Sequence, residues 1–313
     1  MTAHQRATFT GVVLPFIIFT TIWGSTWFVI RSQIGTVAPQ WSVAYRFIIA
    51  AAAMALLARL RGQPLRPSPG LFGAALVLGI SQFSVNFNSV YIAEQFITSG
   101  VVATVFAILL VPNSLLAWAW LGQRPDRRFA VGGAIAAFGA TLLFAHELGA
   151  SRATSAQVLA GLGFTLVGLL GASVANVYQA RPKLLHLPLF SLLAWSMAIG
   201  ALIDVALALL VAGPPTFDWQ PAYWLGLIYL ALAASVLCFS LYFPVVRKIG
   251  PGRAAYSSVL VPIIAMSLST LFEGYRWSLL AATGATLTLV GMLIAVARGR
   301  RARPEPIAAP DAA

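Results

Sequence analysis

Nine intervals of this chain run for 18 residues or more without a charged side chain; seven of them lie between Arg6 and Arg31, Arg128 and Glu147, Arg152 and Arg181, Lys183 and Asp204, Asp218 and Arg247, Arg253 and Glu273, and Arg276 and Arg298. Crossing the hydrocarbon core of a bilayer takes about 20 apolar residues per helix. The interval from Arg66 to Arg124 is interrupted only by Glu94 and reads as two further spans; that from Arg31 to Arg59 holds only Arg46 and reads as one. The spacing therefore predicts ten helices, at 11–31, 40–59, 71–93, 98–121, 129–146, 157–179, 188–212, 221–245, 252–272 and 277–297. Only 9% of the 313 residues are charged and 59% are apolar, whereas a soluble domain is about 25% charged. Too few charges remain to cover a water-exposed surface, which excludes a soluble enzyme and a disordered chain. Cys238 is the one cysteine, so no internal disulfide forms.

Connections are short and marked by turn residues: Pro64, Pro67, Pro69 and Gly70; Pro214 and Pro215; Gly250, Pro251 and Gly252. Sequential helices are then antiparallel neighbours. The first span is too long for a signal-peptide core and no small-residue cleavage site follows it, so it reads as retained. Segment 1–10 precedes the spans. The tail 298–313 is basic, then rich in Ala and Pro, and reads as disordered.

The net charge of +12 is explained by topology and does not call for nucleic acid. With the N-terminus inside, sixteen basic residues fall in cytoplasmic segments and three (Arg31, Arg152 and Arg276) outside. Basic residues collect on the cytoplasmic side of membrane proteins, so both termini are expected there.

The two halves resemble each other at an offset of roughly 150 residues. Pro112 aligns with Pro262, Leu121 with Leu271, Pro39 with Pro188 and Trp41 with Phe190; Gly133 and Gly139 meet Gly284 and Gly291 after short slips. Each half holds five helices. An odd number places tandem copies in opposite orientations, the inverted repeat of secondary transporters, whose sites lie at the repeat interface near the midplane. The expected fold is thus all-α and integral to the membrane, with two inverted five-helix repeats at 11–147 and 157–297.

The segments IWGSTWFVIR (22–31), Pro39-x-Trp41 with Arg46, SGVVATVFAILLVP followed by LLAWAWLGQRP (99–125), and LVPIIAMSLSTLFEGYRWS (260–278) resemble the drug/metabolite transporter superfamily, in its EamA-type members with two EamA domains. The resemblance covers about residues 11–297 and rests on order and spacing. One departure is Gln123, where the family pattern often has Glu; the second half keeps Glu273. The resemblance implies export or exchange of small metabolites, such as amino acids or related amphipathic compounds, across the cytoplasmic (inner) membrane. The alternatives are a membrane enzyme and a non-transporting scaffold or receptor. There is no P-loop, no His or Cys cluster with metal-ligand spacing and no credible catalytic triad, so no cofactor, metal or catalytic residue is expected.

Polar residues inside a bilayer are the first candidates for a site. Ser81, Ser84, Asn88, Tyr91 and Gln95 form one stripe of helix 3 at 100° per residue, which reads as the wall of a hydrated cavity or as a seam of interhelical hydrogen bonds. Gln82 and Asn86 fall on another face and read as packing bonds. Arg46 lies roughly 10 Å into helix 2. It either meets an anionic substrate group, Glu94 or Asp204, or snorkels to the outer interface. Asp204 and Glu94 are candidates for coupling or for an ion pair. Pro112 and Pro262 each remove a backbone donor inside a helix; such breaks in equivalent helices point to a binding region or are plain kinks. Asn113, Tyr256 and Ser257 lie beside them. Asn176 near the end of helix 6 reads as a gate residue, and Trp27 as a stacking surface or part of a close-packed cluster with Gly24 and Ser25.

Overall fold

In the computed structural model, which describes residues 9–122, 124–150, 154–249 and 257–296, the regular elements are all helices. Eight are long and apolar enough to cross a membrane: α1 (Gly11–Ser32), α2 (Pro39–Leu60), α3 (Pro69–Ala93), α4 (Ser99–Leu121), α5 (Arg127–His146), α6 (Ser155–Gln179), α7 (Leu189–Val211) and α8 (Pro221–Tyr242). Two shorter apolar helices follow, α9 (Ser257–Phe272) and α10 (Leu279–Ala295). The protein is a multi-pass membrane protein. Helix α5 continues to Ala150 and α8 to Ile249, past the ends expected at 146 and 245. The start expected for helix 9 (252–256, with Tyr256), Gln123 and the tail lie outside the described residues.

Local chemistry explains where the helices begin and end. Pro39, Pro69 and Pro221 open α2, α3 and α8, at positions where a missing N–H costs nothing. The Ser68 hydroxyl accepts from the Leu71 amide. Thr154 and Gln157 form a reciprocal capping box on α6. Among the described residues, positive φ occurs only at Gly62, Gly122, Gly213 and Gly274, at 66–77°. These glycines close α2, α4, α7 and α9, where the left-handed turn is open to glycine without a Cβ clash.

Helices α3 and α8 share a further feature. Each is wound as a π-helix for part of its length, over Gly79–Asn86 and Tyr229–Leu237. The two segments begin 150 residues apart, the offset seen in the sequence. In α4 a 3-10 turn at Ala107–Leu109 contains Ile108, whose carbonyl is the one Pro112 releases.

The heaviest packing joins α5 to α10 and α2 to α7. Between α2, α3 and α7 lie Phe47, Met54, Phe83, Tyr91, Leu193 and Met197, all nearly free of solvent contact. Two indoles cross the halves to carbonyls between helices: Trp41 Nε1 donates to Gly213 O at 3.2 Å and Trp195 Nε1 to Leu65 O at 2.8 Å.

Candidate functional site

A cavity of about 230 Å³ opens between α1, α2, α3, α4, α6, α8 and α9. Of the residues singled out in the sequence, Trp27, Arg46, Asn113, Asn176, Ser257 and Pro262 line it. Ser84, Asn88 and Tyr91 do not. Helix α7 contributes nothing to the wall.

Of the helix 3 stripe, Ser84, Asn88 and Tyr91 face α7 and α2, whereas Ser81 bonds back to Val77 O and Gln95 lies exposed beyond the end of α3. Asp204 of α7 is fully buried. It accepts from Asn88 Nδ2 at 2.8 Å and lies beside Ser84, while the same Asn88 amide donates to Ser84 O at 3.0 Å. Tyr91, also fully buried, sets its hydroxyl beside Arg46. The cavity wall of α3 is instead formed by Gln82 and Asn86 with Phe87 and Val90. Periodicity tells which residues share a face, not which neighbour that face meets. The π winding, with i→i+5 bonding, also turns the helix more slowly than the 100° per residue of the expectation.

Removing one partner of a buried hydrogen bond leaves the other unsatisfied, at a cost of about 1–3 kcal/mol, whereas replacing both with apolar groups is close to neutral. Asn88→Leu should therefore destabilise the protein by about 2 kcal/mol. Asn88→Leu with Asp204→Leu should recover most of that loss in a thermal melt of the detergent-solubilised protein. Strictly additive losses would show that the pair is not coupled.

Arg46 is 2% exposed, and among the described residues it is the one charged side chain on the cavity wall. Its Nε donates to Ser235 Oγ at 3.2 Å. Ser235 sits in the π segment of α8 and donates onward to Leu230 O. The guanidinium lies over the Phe87 ring at 4.3 Å and near Phe47 at 5.3 Å. Its Nη1 is buried without a hydrogen-bond partner. Neither Glu94 nor Asp204 forms an ion pair with it, so the pairing considered from the sequence is absent. Nor does Arg46 snorkel, being enclosed on every side.

The aromatic wall comes from α1, α3, α4 and α8. Trp27 packs on Phe106 at 5.1 Å between ring centres, and its Nε1 is buried without a partner. Trp23 donates to the Ala234 carbonyl at 3.1 Å and packs against Phe239 and Tyr242. Gly24 allows α1 to meet α9: a methyl there would sit 2.6 Å from Ile264 Cβ. Ser25 bonds the Tyr229 hydroxyl at 2.6 Å. These two small residues thus serve close approach. Asn113, beside Pro112, and Asn86 both lie on the cavity wall, and the Oδ1 of each is buried without a partner.

Two acids, Glu94 and Glu273, lie off the cavity wall and close enough for the charge of one to act on the other. Glu273, just after α9, accepts from Ser99 Oγ at 2.6 Å, Ser99 N at 3.2 Å and Ser269 Oγ at 2.8 Å. A carboxylate of the second half thereby caps the first turn of α4 in the first half. Glu94, one residue past α3, is fully buried, and neither carboxylate oxygen has a hydrogen-bond partner. Burial pushes its carboxyl well above the usual range; neighbouring Glu273 adds to this, while Arg31 and Arg46 oppose it.

The EamA-like transporter family matches residues 10–145 and again 159–297. The chain belongs to that family. Among its relatives, the inner membrane transporter YedA of Escherichia coli K12, itself uncharacterized, is 28% identical over 256 residues, 81% of this chain and 80% of that protein. Protein PagO of Salmonella typhimurium is 24% identical over 286 residues, 91% of each chain. A probable amino-acid metabolite efflux pump of Escherichia coli K12 is 24% identical over 298 residues, 91% of this chain and 94% of that one. A crystal structure at 18% identity superposes with a TM-score of 0.65 over 90% of this EamA chain and 95% of the other, a likeness of fold. The family and its relatives point to small-molecule transport in a membrane rather than to enzymatic conversion.

Proposed function

We propose that this EamA protein is a secondary carrier, an exporter or exchanger of small amphipathic metabolites such as amino acids, working by alternating access between two inverted repeats at 11–147 and 157–297. The observation that carries the reading is the cavity itself, walled by helices of both halves and lined, among the described residues, by one buried cation, amides and aromatic rings. Its volume lies below the roughly 300–1,000 Å³ of drug-sized ligand pockets, which suits a small metabolite. The recurrence of proline breaks, π segments and left-handed glycines at offsets of 150–152 residues supports the repeat.

With cytoplasmic termini, the lining runs from Ile30 and Arg46 past Asn113 in the middle of α4 toward Asn176 and Ser257 at the cytoplasmic ends of their helices. The Glu273–Ser99 contact then closes the opposite, outer end. This corresponds to an inward-facing conformation. Asp204 and Glu94 are the buried acids available for coupling to protons.

The test uses purified protein in sealed vesicles. Unmodified amino acid should cross the membrane, and cysteines placed in hairpins 122–128 and 273–276 should label from opposite sides. Cys238 is fully buried, so Cys238→Ala supplies the background. Chemical conversion without flux favours an enzyme; labelling of both hairpins from one side removes the inverted repeat.

A further inference from the structure

We infer that one acyl chain of an anionic phospholipid lies in a second groove, formed by α4, α9 and α10, with its phosphate beside Arg276. The groove is separate from the central cavity, so its occupant is independent of the carrier reading. Its space is about 430 Å³, against 230 Å³ for the cavity. Among the described residues Pro262 alone lines both, so the proline break of α9 is the partition between them. Thr104, Met266 and Ala285 form a buried floor, and Ile263, Leu271 and Trp277 an exposed rim.

The wall suits hydrocarbon and not water. Thr104 Oγ1 donates to Gly100 O at 2.8 Å, Ser267 Oγ to Ile263 O at 2.8 Å and Thr270 Oγ1 to Met266 O at 2.7 Å. Thr270 Oγ1 in turn accepts from Trp277 Nε1 at 2.8 Å. The polar hydrogens of these side chains are therefore all committed. A buried water needs roughly two to four polar partners, and the rest of the lining is apolar. Left empty, the lining would forfeit its dispersion contacts on the open side; an alkyl chain restores them.

Depth decides between apolar occupants. Pro262 lies ten residues before the end of α9 at Phe272, and Leu289 ten residues after the start of α10 at Leu279. At the helical rise each is about 15 Å from the α9–α10 hairpin, half of the roughly 30 Å hydrocarbon core. The groove is thus one leaflet deep. A spanning helix of a second copy would meet it over only half the membrane, whereas an acyl chain of the leaflet on the hairpin side fits it. In the orientation proposed above that is the outer leaflet. At the mouth, the Trp277 indole is pinned to Thr270, at the depth where tryptophan marks the interface. Arg276 beside it is exposed. Among the described residues no carboxylate pairs with it, and the nearby Glu273 is engaged by Ser99 and Ser269. A guanidinium at head-group level matches a phosphate.

The test uses purified full-length protein in detergent. Native mass spectrometry counts retained phosphatidylglycerol or phosphatidylcholine, and phosphatidylglycerol with a diazirine on its acyl chain is photolabelled and mapped to peptides. We expect one phosphatidylglycerol to survive washing, with label concentrated on the groove faces of α9 and α10. Ala285→Phe sets a ring on the floor and should cut retention and label at least fivefold. Because Ala285 is buried and this variant can fail to fold, Ser267→Trp at an exposed wall position is the second arm: it should cut the label as far and keep its melting temperature. Arg276→Gln should lower phosphatidylglycerol retention to that of phosphatidylcholine. Label spread evenly over the lipid-facing helices, label unchanged in Ser267→Trp, or equal retention of the two lipids by the parent overturns the inference. A lipid-free dimer that Ser267→Trp dissociates also overturns it and gives the groove to a second copy. None of these readouts uses transport, so the carrier reading stands or falls separately.

Discussion

Gly139→Leu should leave almost no monodisperse protein on size-exclusion chromatography, and Gly132→Leu should do the same. The cause is the crossing of α5 and α10. A Cβ on Gly139 would lie 2.5 Å from the Thr288 amide nitrogen and 2.6 Å from Gly284 O; one on Gly132 would lie 2.5 Å from both the Ala295 nitrogen and Gly291 O. Reciprocally, a Cβ on Gly284 would meet Gly139 O and the Leu143 nitrogen at 2.7 Å. The obstacles are backbone atoms, which cannot rotate away as a side chain does. Overpacking where side chains can yield costs typically about 1–3 kcal/mol; here the helices must part, and the loss should be at or above the top of that range. Helix association in lipid depends on this close packing, since burial from water offers no driving force there. Gly163→Leu is the control, because nothing lies within 4 Å of a Cβ at that exposed site on α6. It should elute as the parent does. Since neither α5 nor α10 lines the cavity, a folded, monodisperse Gly139→Leu would show that the two helices do not meet at these glycines.

These glycines also mark what a sequence can and cannot disclose. The recurrence of Gly133 and Gly139 as Gly284 and Gly291 was visible, although Gly132 and not Gly133 makes the contact, and so were the apolar helices, eight of them long enough to span, because a charge inside lipid is expensive and its absence is easy to count. Register was not. Gly132 meets Gly291 and Gly139 meets Gly284, an antiparallel pairing that a linear alignment of the halves cannot supply. The same limit explains the site. Arg46 stands out in any reading, since a lone cation in an apolar helix demands a role. That Ser84 and Asn88 serve Asp204 while Gln82 and Asn86 serve the cavity depends on where α7 lies and on π winding in α3. No residue in Gly79–Asn86 announces that winding. Its counterpart at Tyr229–Leu237 is equally silent, yet the two share the repeat offset. The spacing of Gln82 and Asn86, four apart, was the one available signal, and a hydrogen-bonding role suited it just as well.

Glu273→Ala should raise the outside labelling of a cavity cysteine by tenfold or more. In the proposed carrier the closed outer end is held across the halves by one carboxylate with three bonds, to Ser99 Oγ, Ser99 N and Ser269 Oγ. Two of these bonds tie it to the first turn of α4, where the helix dipole favours an anion. Hydrogen bonds to a charged partner are worth about 1.5–3 kcal/mol each, less for a half-buried group such as this. The bonds between Glu273 and Ser99 join opposite halves, so they are lost when the outer end opens, and their removal acts on the conformational equilibrium. Each 1.4 kcal/mol shifts such an equilibrium about tenfold. The reporter is Val90→Cys in a Cys238→Ala background, since Val90 lines the cavity and is 2% exposed. A membrane-impermeant thiol reagent added outside should react slowly with the parent and at least tenfold faster with Glu273→Ala. Glu273→Gln keeps one acceptor oxygen but no charge and should fall between them. The second half carries this acid, whereas the aligned position in the first half is Gln123. The two ends of the carrier would then be latched unequally, with the stronger closure on the outside. An unchanged labelling rate in Glu273→Ala would place the outer closure elsewhere, in the apolar packing of Ile97, Val101 and Tyr275.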